Sequence, residues 1–167
     1  MGPFAAGDNR LQGPSAIPAQ RKVIAVSGYS KLMKDTPLNS VAEMAARTPY
    51  PPEAFAFVRE ALYLAAVHEH GPEPEMANPA LLGRRHVTGQ QLCEALRNLA
   101  IQRWGFLARL VLSSWNIHST LDFGKIVYAM IDNELMQKTE GDSLEDFRDV
   151  FDFGSALRVS TEFELKE

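Results

Sequence analysis

One cysteine, Cys93, is the only thiol in 167 residues. A single thiol closes no internal disulfide and cannot supply the sulfur set of a structural zinc site. It lies mid-helix beside Glu94. That placement reads as a small buried thiol held protonated rather than as a nucleophile, and a reducing compartment fits it. No apolar run approaches the roughly 18 residues that a membrane span requires. Residues Met1–Gln20 carry Asp8 and Arg10 and no continuous apolar stretch, so they do not read as a secretory signal. The expected location is cytoplasmic, with no membrane partner. The sequence has no G-x-S-x-G elbow, no P-loop and no G-x-G-x-x-G turn around its 11 glycines, so the common nucleophile and phosphate-cradling motifs are missing.

What is present is globular. Hydrophobic residues make up 46% of the chain and charged residues 23%, and a chain of this length can bury a core without disulfides or metals. The net charge of −4 is unevenly spread: residues 1–36 hold five basic against two acidic residues, leaving the remainder at −7. An acidic folded portion repels phosphates at long range, so nucleic acid is an unfavoured partner.

Three regions are expected: a disordered N-terminal tail over 1–38, a helical domain over 39–153, and a loosely ordered C-terminal tail over 154–167. Gly2, Pro3, Gly7, Gly13, Pro14 and Pro18 crowd the first segment. Val23–Val26 reads either as a lone strand or as a disordered apolar patch. Ser40 and Glu43 have capping-box spacing for a short helix over Val41–Arg47, stopped by Pro49, Pro51 and Pro52. A second helix starts at those prolines, with Glu53 in its first turn. It carries Ala54, Phe55, Val58, Ala61, Leu62 and Ala65 on one face and Phe57 and Leu64 on another, and Gly71-Pro72 ends it. Residues 71–83 read as a loop.

Thr88 with Gln91 caps a third helix, its core stripe Leu92, Ala95, Leu96, Leu99 and Ala100, ending at Trp104-Gly105. The fourth, Phe106–Trp115, is expected to turn Leu107, Leu110, Val111 and Trp115 inward, with Asn116 left-handed at its end. Ser119 with Asp122 opens the fifth, which runs to Leu135. Its Phe123, Ile126, Val127, Met130 and Ile131 form the strongest amphipathic pattern in the chain. Met136–Thr139 reads as a strand, and Leu144–Phe153 as either a helix or the return strand of a hairpin. The fold class expected is therefore mainly α: a compact bundle of five to six helices, with a small C-terminal β-hairpin and a winged-helix-like arrangement as an option.

Candidate chemistry is thin. His68 and His70 are two apart and point to different sides of a helix, while His86 and His118 stand alone. A zinc site needs three or four converging ligands, so solvated or capping histidines are the better reading, and no metal is expected. No cofactor and no catalytic residue are expected either. The segment 106–135 also reads as a helix-turn-helix, with 136–153 as a wing. Its second helix would expose Asp122, Lys125, Asp132, Asn133 and Glu134, and residues 138–153 hold six acidic against two basic side chains. A wing that touches phosphate is not built this way. A non-catalytic protein-interaction or scaffold domain is the expected function, with a winged-helix nucleic-acid-binding regulator as the alternative.

The segments Tyr50-Pro-Pro-Glu-Ala-Phe55, Arg85-His-Val-Thr-Gly-Gln-Gln-Leu92, Trp115-Asn-Ile-His-Ser-Thr-Leu-Asp-Phe-Gly124 and Lys138-Thr-Glu-Gly-Asp-Ser-Leu-Glu-Asp-Phe147 follow one another in that order. Together they resemble a conserved-hypothetical bacterial family found mainly in planctomycetes and verrucomicrobia. The resemblance spans about residues 40–153 and leaves Met1–Pro37 outside. It implies no activity and no site residue. Asn116 stands where the family's turn is expected to hold glycine.

The partner-binding candidates come from charge. Arg84, Arg85, Arg97, Arg103 and Arg109 face a single acid, Glu94, across residues 84–109. Either this run and the downstream acidic run neutralise one another or form separate solvated faces, or the arginines meet an acidic partner, another copy's acidic run included. The planar guanidinium suits such contacts. Trp104 and Trp115 read as core.

Overall fold

The computed structural model describes residues 23–25, 38–72, 86–138 and 140–158. The chain is mainly helical. In order it forms β1 (Val23–Ala25), α1 (Leu38–Ala46), α2 (Pro52–His70), β2 (His86–Thr88), α3 (Gly89–Trp104), α4 (Ala108–Ser114), α5 (Thr120–Asp132), β3 (Gln137–Lys138) and α6 (Phe153–Ala156). Short 3₁₀ turns at Gly105–Leu107 and Leu144–Phe147 join α3 to α4 and precede α6. Among the described residues no helix is long and apolar enough to cross a membrane.

α2 is the axis of the bundle. It buries Ala54, Phe55, Phe57, Val58, Ala61, Leu62, Ala65 and Ala66, and its small residues let α1, α3, α5 and β2 pack close on several sides. Leu64, on its second apolar side, is 41% exposed, because the turn it faces is the mouth of a cleft. Pro52 occupies the first turn and Glu53 the positive end of the dipole. α1 starts at Leu38, so Ser40 and Glu43 fall inside it rather than at its cap. Burial of Val41, Met44 and Ala45 holds this helix, and packing of an apolar face outweighs a cap in a short segment.

α3 is capped as its sequence demands. The Gln91 N–H donates to Thr88 Oγ1 at 3.1 Å and the Thr88 N–H to Gln91 Oε1 at 2.8 Å. Gly105, at φ +51°, ψ −121°, ends it in a conformation that a side chain would strain. α4 follows after one 3₁₀ turn and buries Ala108 and Leu112. Leu107 and Leu110, expected inward, are 59% and 67% exposed. Six of the seven residues 106–112 are apolar, more than one face of so short a helix can bury.

Both α4 and α5 finish in Schellman motifs built without glycine. Asn116 takes φ +62°, with the Ile117 N–H donating to Leu112 O at 2.9 Å and the Asn116 N–H to Ser113 O at 3.0 Å. Glu134 does the same at φ +59°, with the Leu135 N–H donating to Met130 O and the Glu134 N–H to Ile131 O. α5 therefore stops at Asp132 rather than at Leu135. It buries Phe123, Ile126, Val127 and Met130, while Ile131 is half-buried.

The sheet has the order β2-β1-β3, both pairings antiparallel. Ile24 lies opposite Val87 in one ladder and Lys138 in the other. Val23–Ala25 is thus the central strand, set within the segment expected to be a tail. Its partners lie over 60 positions downstream, beyond the reach of any local pattern. No C-terminal hairpin forms among the described residues. β3 pairs with β1, and Leu144–Phe147 is a 3₁₀ turn that drives Phe147 into the core. Gly124 makes this possible: a Cβ there would sit 2.7 Å from Phe147 Cγ. α6 follows, its N-cap Asp152 accepting from the Ser155 N–H at 2.9 Å. Phe153 and Leu157 are buried, so core packing continues past residue 153. Residues 1–22, 26–37, 73–85 and 159–167, which include most of both expected tails and most of the expected loop, lie outside the described residues.

Candidate interaction surface

Of the five arginines singled out by charge, the three described ones do not share one environment. Arg84 and Arg85 lie outside the described residues. Arg97 is half-buried: its Nε donates to Ala156 O at 2.7 Å and its Nη1 to Asn98 Oδ1 at 3.2 Å. It ties α3 to α6. Arg103 donates from Nη2 to Glu60 Oε1 at 2.6 Å, and its guanidinium lies 5.8 Å from the centre of the Trp104 ring. Both partners of that ion pair are 40% exposed, so it contributes little to stability. Arg109 is exposed and makes no hydrogen bond or ion pair among the described residues.

The acidic run does not neutralise these arginines among the described residues. Glu145 pairs with Arg148 at 2.6 Å. Asp146 Oδ2 accepts the Ser143 N–H at 2.9 Å, and Asp152 caps α6. Local backbone donors take up charges that a long-range pairing would have needed.

On either side of Arg109 in the chain stands an apolar corner. Phe106 is 66% exposed, Leu107 59% and Leu110 67%, and the 3₁₀ turn running into α4 sets them within one turn of each other. Single exposed leucines are ordinary. Three large apolar side chains on one short turn form a patch, and such patches mark contact surfaces. The corner is braced from below. Trp104 and Trp115 cross edge to face at 5.3 Å, and the Phe57 ring lies 5.0 Å and 5.8 Å from them. The two tryptophans are half-buried against the core, so the exposed apolar area belongs to Phe106, Leu107 and Leu110. Sequence reasoning assigned the leucines to the interior. The surplus of apolar positions over 106–112 was the signal that one face had to remain outside.

Elsewhere, Asp122 and Tyr50 form a buried hydrogen-bonded pair. The Asp122 carboxylate, at the start of α5, accepts the His118 N–H at 2.9 Å, the Ser119 N–H at 3.1 Å, the Tyr50 O–H at 2.8 Å and Lys125 Nζ at 3.1 Å. Burial alone would raise its pKa, but these donors more than offset that and hold it below the ordinary carboxylate value. Burial first, and then the hydrogen bond to Asp122, push the Tyr50 phenol well above its usual pKa. The pair joins the α1–α2 link to α5, and with its lone pairs spent the carboxylate has no free oxygen to offer a substrate. The sequence marked Asp122 as a cap but gave no sign of Tyr50, which lies 72 residues away.

Cys93 is fully buried, its thiol pushed up to about 12 by burial and then by Glu94, which leaves it an inert thiol. His70 Nε2 lies 2.8 Å from His86 O, and His118 Nε2 lies 3.2 Å from Asn116 Oδ1. Among the described residues no three His, Cys, Asp or Glu side chains converge as a metal-binding group. Two clefts flank α3. One, of about 270 Å³, opens between α2 and α3 at Leu64, His68 and Asn98. The other, of about 440 Å³, is lined by Glu94, Arg97, Asn98, Val150, Phe151 and Ala156.

Comparison with protein-family models, with curated proteins and with solved structures finds no match for this chain.

Proposed function

We propose that the chain is a non-catalytic protein-interaction domain whose contact surface is the apolar corner Phe106, Leu107 and Leu110, with Arg103 and Arg109 beside it. The observation that carries this reading is the exposure of three large apolar side chains on a braced helical turn. Withdrawing them from water favours association by about 25 cal/mol per Å² before the costs of binding. The flanking arginines supply orientation, since a rim charge chooses among partners more than it adds affinity.

The test is a photo-crosslinking amino acid at position 106 in the full chain, with a control at the exposed Glu43. Covalent adducts to protein should form from 106 and not from 43, and should disappear when Leu110→Asp is added. Equal yields from both positions, with the fold intact by circular dichroism, would overturn the assignment of the corner as the contact surface.

A further inference from the structure

We infer that the chain associates with itself head to tail, the Phe106–Leu107–Leu110 corner of one copy seating in the Val150–Phe151–Ala156 cleft of the next. The inference rests on the reading of the corner as a contact surface and names its partner. It starts from charge. Residues 95–121 contain no carboxylate but carry Arg97, Arg103 and Arg109. Corner against corner, as in a two-fold dimer, would bring Arg109 of each copy together with no acid on that stretch to separate them. Glu60, the acid at hand, is already held by Arg103. The surface that covers the corner must therefore be apolar in the middle and acidic at its edge.

The chain carries such a surface. The cleft of about 440 Å³ has Val150, Phe151 and Ala156 as its apolar lining. Glu94 lies in its wall, and the exposed Asp149 and Asp152 bracket Val150 and Phe151 in the chain. Arg97 also lines the cleft, and it and Arg158 donate to neutral oxygens, Arg97 Nε to Ala156 O and Arg158 Nε to Gly154 O at 2.9 Å, so both keep their charge, while Arg148 is paired with Glu145. Glu94, Asp149 and Asp152 outnumber these two cations. Among the described residues corner and cleft are both open, so neither fills the other within one copy. A contact between two different surfaces is heterologous and propagates, giving rings if the rotation closes and open chains if it does not. Three anchoring side chains fall short of the roughly 800 Å² per partner of a stable complex, so the association is weak and concentration-dependent.

The test is sedimentation of the full chain over a roughly hundredfold concentration range, for the unaltered protein, a corner variant (Leu110→Asp) and two cleft variants (Ala156→Phe, which fills the cleft, and Glu94→Lys, which reverses its wall charge without touching the core). The unaltered protein should gain mass with concentration beyond a dimer, and each variant alone should stay monomeric. An equimolar mixture of Leu110→Asp with either cleft variant should form dimers and stop there, since one intact corner and one intact cleft remain between them. A mixture that stays monomeric while the unaltered protein associates would overturn the head-to-tail geometry. An unaltered protein that stays monomeric throughout would overturn self-association. Adducts to other proteins from position 106 would in that case leave the corner's role as a contact surface standing.

Discussion

α5 and the corner before α4 are made of the same kind of residue and meet opposite fates. α5 buries Phe123, Ile126, Val127 and Met130, whereas Phe106, Leu107 and Leu110 are each about three-fifths exposed or more. Composition does not separate them; their frames do. α5 is 13 residues long, its start is fixed by the His118, Ser119, Tyr50 and Lys125 donors converging on Asp122, and α2, α3 and the Leu144–Phe147 turn close over it. α4 is seven residues long and is held by Ala108, Leu112 and the Trp104–Trp115 contact. A short helix with two apolar faces, packed among the described residues chiefly on α3, satisfies one face and leaves the other for something else.

That contrast can be broken most sharply at Met130. Met130→Ala should destabilise the fold by about 2–5 kcal/mol, the cost of a cavity in a fully buried site, read from urea unfolding. Next in size is Asp122. Asp122→Ala strands the Tyr50 hydroxyl and two backbone N–H groups and should cost about 1–3 kcal/mol. The same carboxylate gives a pH signature. Its pKa in the fold lies below the ordinary 3.8, so its contribution is fully present above that value and is lost as pH falls through the lowered one. Unfolding free energies measured from about pH 5 down to pH 2 should fall less steeply in Asp122→Asn than in the unaltered protein. An unchanged slope would remove Asp122 from the account of what holds α5 in place.

Much of the helical frame was legible because its signals are local. Pro52, the Thr88–Gln91 box, the Asp122 cap and the left-handed Asn116 each act within four residues, and each stands in the structure where its sequence puts it. What escaped was non-local or unsignalled. The sheet joins residues 23–25 to 86–88 and 137–138, with strands too short to show alternation. Glu134 and Asp149 take positive φ without being glycine or asparagine, so the end of α5 and the turn into α6 left no mark. Gly124 bears no sequence mark of its role, which is to leave room for the Phe147 ring in the core. Ile131 belongs to the same stripe as Met130, yet it is half-buried, because α5 ends one residue later. At the candidate surface the arginines cluster along the chain, but the described ones differ in partner: Arg97 is bonded to Ala156 O, Arg103 to Glu60, and Arg109 is exposed. The corner was hidden by its own periodicity, since three-and-four spacing describes a face without saying which way it points.

The smallest expected effect tests the central claim most directly. If the corner is a surface held ready for contact rather than part of the core, Leu110→Asp should leave the free energy of unfolding, measured in urea at a concentration where the chain is monomeric, within about 0.5 kcal/mol of the unaltered protein. A loss of about 2 kcal/mol or more, approaching that of Met130→Ala, would place Leu110 inside the fold and contradict the account.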